Sequence, residues 1–154
     1  MTEDIYRALQ RRLDLYSVGF PATGSGIELR ILEKLFSPND AALFLEMSPK
    51  LSTAREVARR TSANEADTAG RLEDMAGRGL LFRSRRGGEA RYAAIPFVHG
   101  LFEFQVKDLD RELALMVEQY HAEAFDRAFA SVGGMFLRTV PVRQSIDASH
   151  QVAA

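Results

Sequence analysis

A chain of 154 residues with 46% hydrophobic residues is long enough for one domain, or for one domain with an appended helical segment. Its 20 lysines and arginines nearly balance its 21 aspartates and glutamates, so a nucleic-acid-binding surface would have to come from local clustering of charge. The absence of cysteine excludes disulfides, thiol catalysis and an iron–sulfur cluster held by this chain alone, and it fits a cytoplasmic location. We therefore expect no cofactor in this chain. No run reaches the roughly 18 apolar residues of a membrane span, so we expect no membrane partner.

The first helix is predicted within residues 2–16, where Ile5, Leu9, Leu13 and Tyr16 recur on one helical face. Glycine, proline and small polar residues dominate residues 18–26, a composition that predicts a connector. We accordingly assign residues 1–26 to an N-terminal helix and connector.

Two further helices are predicted next. An apolar stripe indicates a helix over residues 27–36. Ser37 is a suitable cap, Pro38 suits the first helical position, and Asp40 supplies an acid in the first turn, so a second helix should begin there. It should run to about residue 47.

Two short capped helices follow. Thr53 and Glu56 have the spacing of a capping box, which predicts a helix to about residue 60. Asn64 caps a second helix that should continue to about residue 78, and Gly79 is typical of a helix end.

Residues 80–85 and 90–95 flank a Gly-Gly pair and predict a β-hairpin. Helix, turn, helix and hairpin in this order are typical of a winged helix-turn-helix, which we assign to residues 27–96. The predicted fold class is mainly α (α+β), with a two-stranded β-wing and additional N- and C-terminal helices. The alternative is an α+β domain with unrelated packing.

A winged helix suggests an interface with double-stranded DNA. The outward side chains of the helix over residues 64–78 would face base edges, and the wing arginines would hold phosphates. That helix carries more carboxylates than arginines, which is unfavourable near phosphates, whereas in the wing only Glu89 opposes the arginines. In the alternative interpretation the wing arginines serve solubility. The candidate DNA-binding residues are Asn64, Thr68, Arg71, Arg78, Arg83, Arg85, Arg86 and Arg91.

Apolar residues recur at alternating spacings of four and three after residue 97, which predicts a short heptad seam. The seam could form a homodimer contact or pack against the N-terminal helices, and a new helix capped by Asp110 could interrupt it. We assign residues 97–132 to C-terminal helices and residues 133–154 to an extended or poorly ordered tail. The candidate dimerisation residues are Phe102, Val106, Leu109, Leu113, Met116 and Tyr120.

Signals for catalysis and for metal binding are weak. Glu118 and His121 share a helical face, as in half of a di-iron motif, but a second Glu-x-x-His is missing. No serine lies in a nucleophile elbow, and the glycine-rich segments lack the rest of a phosphate-loop pattern. We therefore expect this chain to be neither an enzyme nor a metal-binding protein.

Short segments spread over nearly the whole chain carry a family resemblance. They are residues 19–32 (GFPATGSGIELRIL), 86–92 (RGGEARY), 97–105 (FVHGLFEFQ), 138–142 (RTVPV) and 145–147 (SID). Together they resemble bacterial and archaeal proteins in which an N-terminal winged helix, of the MarR/ArsR type, precedes a four-iron ferredoxin-type (4Fe-4S) domain. In that group the cysteines follow the last of these segments, and this chain ends at Ala154 before any cysteine. The resemblance implies similarity to the N-terminal half of such a protein and an electron-transfer or redox-sensing context.

Two hypotheses about function follow. In the first, the chain is a cytoplasmic DNA-binding module, a redox-linked transcriptional regulator that forms a homodimer. In the second, it is a protein-interaction domain of an iron–sulfur electron-transfer protein and does not bind DNA. The basic wing favours the first hypothesis, and the acidic helix favours the second.

Overall fold

The computed structural model describes residues 4–85 and 87–125, and these residues are mainly helical with a small antiparallel sheet, in agreement with the predicted α+β class. The predicted tail at residues 133–154 lies outside the described residues. None of the helices in the described ranges has the length and apolar composition that a membrane crossing requires. The helices are α1 Ile5–Asp14, α2 Ile27–Leu35, α3 Pro38–Leu45, α4 Ala54–Thr61, α5 Glu65–Gly77, α6 Phe102–Gln105 and α7 Arg111–Tyr120. The strands are β1 Ser52–Thr53, β2 Phe82–Ser84 and β3 Arg91–Ala93.

The predicted helix starts are confirmed at α3 and α4. Ser37 accepts a hydrogen bond from the Asp40 amide at 3.2 Å, and the Asp40 carboxylate accepts one from the Ser37 amide at 3.1 Å. Thr53 and Glu56 make the same reciprocal pair at 3.2 and 2.7 Å. Each box satisfies amides that a helix start would otherwise leave without an acceptor.

The end of α5 is also confirmed at Gly79. Its φ of +75° lies in the left-handed region that glycine adopts without strain. This conformation lets the Leu80 amide reach back to the Met75 carbonyl at 2.9 Å, which closes the last turn. The chain then turns into β2 with Phe104 of α6 packed against the glycine.

The sheet has three strands, where two were predicted. The order is β1-β3-β2, and β1 pairs with β3 through Ser52 opposite Tyr92 and Thr53 opposite Arg91. A two-residue strand is too short to show an alternating pattern, so β1 could not be predicted from the sequence. The hairpin strands are also shorter than predicted: Leu80 and Leu81 are buried in the core before β2 begins, and β3 ends at Ala93.

The N-terminal helix and the C-terminal helices share one core with the central module. Helix α1 packs against α2 and α3, and α2 packs against α7. Phe20 of the connector is fully buried, and its ring lies 4.1 Å from that of Phe97 and 4.8 Å from that of Tyr120. Gln10 of α1 donates a hydrogen bond to the Phe20 carbonyl at 2.7 Å. The connector is therefore packed against the core over this part of its length.

A carboxylate is buried where the connector meets α2. Glu28 has no solvent exposure, and its neighbours are Arg7 of α1 and the Thr23 hydroxyl, which donates a hydrogen bond to it. The Arg7 guanidinium lies 3.0 Å from Glu28 Oε1, but no described residue gives that oxygen a well-aligned hydrogen bond. The positive charge of Arg7 is thus the main compensation for the cost of burying this carboxylate oxygen.

Candidate nucleic-acid interface

Helices α4 and α5 pack closely against each other and form the framework of the candidate interface. Val57 of α4 and Leu72 of α5 are fully buried and fix the inner faces of the two helices. Between the helices Ser62 adopts a left-handed conformation with φ of 54°, and the Ala63 amide reaches the Ala58 carbonyl at 2.9 Å. The turn is tight, so the outer face of α5 and the hairpin that follows it have defined positions.

At the start of α5 the structure confirms one prediction and corrects another. Asn64 is exposed and caps the helix, its side-chain oxygen accepting from the amides of Ala66 and Asp67 at 2.8 and 3.1 Å. Thr68 was predicted to face bases, but it is 3% exposed and donates to the Asn64 carbonyl at 2.8 Å. The inner face of α5 runs through Thr68, Leu72 and Met75, because residues four and three apart share a face.

The two candidate arginines of the predicted helix over residues 64–78 differ in the partners of their guanidinium groups. Arg71 is exposed, and its one hydrogen bond within the described chain is donated to the Asn39 carbonyl at 2.9 Å. Arg78 forms ion pairs with Asp74 at 2.8 Å and with Asp40 at 3.0 Å. Burial alone would raise the pKa of Asp40, but hydrogen bonds from Ser37 and Arg78 outweigh it and lower that pKa below its ordinary value of 3.8. Arg78 is therefore part of the joint between α3 and α5.

The wing arginines converge on a carboxylate of α5. Arg83 lies 2.6 Å and Arg85 2.5 Å from Oε1 of Glu73, and the Tyr92 hydroxyl donates to Oε2 at 2.9 Å. Burial, and then the hydrogen bond to Glu73, raise the pKa of Tyr92. The prediction that only Glu89 opposes the wing arginines is therefore wrong. No sequence pattern links Glu73 to the wing, since the contact is made by packing of the hairpin against α5.

The remaining candidates lie at the tip and on the outer strand. Arg91 is exposed on β3 and pairs loosely with Glu89 at 3.4 Å. Arg86 lies outside the described residues. Arg59 and Arg60 are exposed at the end of α4, and their guanidinium groups make no hydrogen bond or ion pair with any described residue. The sequence offered these two arginines only as a contribution to local charge.

Two grooves border this surface. The larger, about 500 Å³, lies between α3, the end of α4 and the start of α5, and its lining includes Arg60, Arg71 and Glu46. The smaller, about 280 Å³, lies between the end of α5, β2 and α6, and its lining includes Phe82 and Phe104. Both phenylalanines are more than two-fifths exposed, and Arg83 and Lys107 line the same open groove.

The predicted dimerisation seam is divided between core and surface. Leu113, Met116 and Tyr120 are buried in the core of the chain itself, with α7 packed on α2, and Phe102 is partly buried against the same core. Val106 and Leu109 are exposed. The seam is not continuous because Asp110 caps α7, accepting from the Leu113 amide at 2.7 Å. Within the described residues, a dimer contact therefore stays a prediction for Val106 and Leu109.

The described residues contain no group of three or more His, Asp or Glu side chains that could hold a metal ion. No protein-family model matches this chain, and neither the comparison with curated proteins nor that with solved structures finds a significant match. The function is therefore inferred from the geometry of the α4–α5 pair and the hairpin.

Proposed function

We propose that residues 27–96 form a winged helix-turn-helix. Two features support the proposal: the tight turn between α4 and α5, and a hairpin that directly follows α5. The strand order β1-β3-β2 adds a third, because the strand that precedes α4 pairs with the hairpin and ties the helix pair to the wing. In such modules the second helix of the pair enters the major groove and the first crosses the backbone.

Binding of double-stranded DNA is the function that this arrangement supports best. The observation that carries it is the set of accessible guanidinium groups on one module: Arg59 and Arg60 at the end of α4, Arg71 on α5, and Arg85 and Arg91 on the hairpin. Exposed ion pairs are worth only about 0–1 kcal/mol each, so the carboxylates beside the wing arginines can be exchanged for phosphates at small cost. Phosphate contacts supply most of the non-specific affinity for DNA.

The structure revises the roles of the candidate residues in this proposal. Arg71 is the side chain of α5 best placed to pair with a base edge, since guanidinium groups recognise guanine in the major groove. Arg83, Arg85 and Arg91 would hold phosphates. Thr68 and Arg78 have structural roles inside the module, and Asn64 serves first as a cap.

The wider context of the module belongs to the same proposal. We infer a cytoplasmic, redox-linked transcriptional regulator that acts as a homodimer, with Val106 and Leu109 as the apolar residues available for the contact. The resemblance to iron–sulfur proteins supports the redox link. Any iron–sulfur cluster would be held by a cysteine-bearing segment outside this sequence or by a partner, since this sequence has no cysteine.

A second candidate function is favoured by the two exposed phenylalanines in the open groove between α5, β2 and α6. Exposed Phe82 and Phe104, with Val106 nearby in sequence, are the kind of surface through which a protein-interaction domain would dock on an iron–sulfur electron carrier. This candidate predicts no affinity for DNA.

The test is fluorescence anisotropy with a random-sequence DNA duplex at low ionic strength. Arg85→Glu should weaken binding at least tenfold, because it replaces a phosphate contact with a repelling charge. Arg30→Glu is the matched control: Arg30 is exposed on α2, which packs against α1 and α7. Circular dichroism checks that both variants are folded. Equal affinity of the two variants would overturn the proposed interface, and absence of binding by the unaltered chain would favour the protein-interaction alternative.

A further inference from the structure

The Glu73 carboxylate of α5 is contacted by three side chains of the hairpin segment. One of its carboxylate oxygens contacts Arg83 at 2.6 Å and Arg85 at 2.5 Å, while the other accepts from the Tyr92 hydroxyl at 2.9 Å. Three donors converge on this one anionic group: Arg83 on β2, Arg85 just after β2, and Tyr92 on β3. Tyr92 is 3% exposed, so its hydroxyl holds Glu73 from the protein side, whereas Arg85 reaches the carboxylate from a largely exposed position.

A carboxylate and a phosphodiester are chemically similar ligands for these two arginines. Each is a singly charged oxyanion, and guanidinium N–H groups bind both with the same charge-assisted hydrogen bonds. A phosphodiester that approaches the wing therefore meets arginines whose donors already serve Glu73. The two anions cannot share the donors closely, because like charges at such short range repel.

We propose that Arg83 and Arg85 form a phosphodiester-binding subsite of the wing, and that Glu73 fills this subsite in the free protein and competes with the DNA backbone for it. The inference rests on the proposed DNA-binding function and deepens it. Glu73 then sets the affinity of the wing: binding requires the carboxylate to withdraw from the two guanidinium groups.

The experiment measures the affinity of folded variants for the same random-sequence duplex at one fixed low salt concentration. Glu73→Gln keeps the size of the side chain and an oxygen that can accept from Tyr92, and it removes the competing charge. Two exposed ion pairs are lost, so the affinity should rise by more than about twofold and by up to about thirtyfold. Glu118→Gln, on the exposed face of α7, makes the same change of charge away from the hairpin and should leave the affinity within about twofold of the unaltered chain.

A second variant keeps the test decisive if Glu73→Gln does not fold. Tyr92→Phe changes no charge and removes one of the three hydrogen bonds that hold Glu73 on the wing. It should raise the affinity by less than Glu73→Gln does. An order of Glu118→Gln, Tyr92→Phe and Glu73→Gln from weakest to tightest binding is therefore expected.

The outcomes separate the inference from the function on which it rests. If the unaltered chain binds DNA and neither Glu73→Gln nor Tyr92→Phe binds more tightly, the competition is refuted and the proposed function stands. An equal rise in Glu118→Gln would also refute it, because the effect would then be one of net charge. If neither the unaltered chain nor Glu73→Gln binds, the proposed function fails and the subsite fails with it.

Discussion

Replacing Gly79 by alanine tests how the end of α5 positions the hairpin. Gly79 has a φ of +75°, and a Cβ placed there would lie 2.6 Å from Cβ of Phe104 and 3.0 Å from Nε2 of Gln105. The first contact is with the stem of a side chain rather than its flexible tip, so α6 would have to move. The Gln105 amide also donates to the Arg78 carbonyl at 2.9 Å, and that bond would be disturbed.

The expected loss has two parts. A left-handed backbone costs an alanine about 1–2 kcal/mol, and overpacking against Phe104 costs about 1–3 kcal/mol. Gly79→Ala should therefore lower the free energy of unfolding by about 2–5 kcal/mol. Gly70→Ala is the matched control, because Gly70 lies inside α5 with nothing within 4 Å of the added Cβ. It should raise the free energy of unfolding by about 0.5–1 kcal/mol.

Urea unfolding followed by circular dichroism measures both variants. Opposite signs for the two alanine substitutions are the expected result. If Gly79→Ala were as stable as the unaltered chain, the left-handed turn and the contact between α6 and the end of α5 would both be wrong.

Two further predictions concern buried carboxylates. Arg7→Ala removes the cation beside fully buried Glu28 and should lower the free energy of unfolding in urea by about 3 kcal/mol. Arg7→Ala combined with Glu28→Gln should be more stable than Arg7→Ala alone, because no unpaired buried charge remains. No recovery of stability in the double variant would refute the pairing. The lowered pKa of Asp40 means that its ionised form contributes stability that is fully present above pH 3.8 and lost as the pH falls through the lower pKa of the folded state. The stability advantage of the unaltered chain over Asp40→Asn should therefore be full at neutral pH and shrink in acid. Thermal unfolding of both proteins across that pH range measures the difference. A difference that does not change with pH would contradict the prediction.

Features set by a few neighbouring residues could be predicted from the sequence. The caps at Ser37, Thr53, Asn64 and Asp110 were each placed correctly because a helix start depends on the side chain of the cap and the amides of the next turn. Gly79 was placed correctly because a helix end favours a residue that adopts a left-handed backbone without strain. Together these signals give the order of helices and hairpin.

Features set by packing between distant segments could not be predicted. Thr68 was expected at the surface because the buried stripe of α5 was assigned to its apolar residues. Its hydroxyl bonds to the backbone of its own helix, and this lets the side chain be buried. The contact of Glu73 with Arg83 and Arg85 depends on how the hairpin folds back on α5. The spacing of Leu113, Met116 and Tyr120 is equally suitable for a dimer seam and for a core, and only the position of α2 assigns these residues to the core.

The most direct test of the account is the salt dependence of binding to a random-sequence DNA duplex, measured by fluorescence anisotropy from low ionic strength upward. Three to five phosphate contacts by the arginines of α4 and the wing predict a log–log slope of about −2.7 to −4.5 for one protomer. Affinity that falls with salt in this range would support the DNA-binding module. Absence of binding even at about 50 mM salt would contradict it and leave the protein-interaction function.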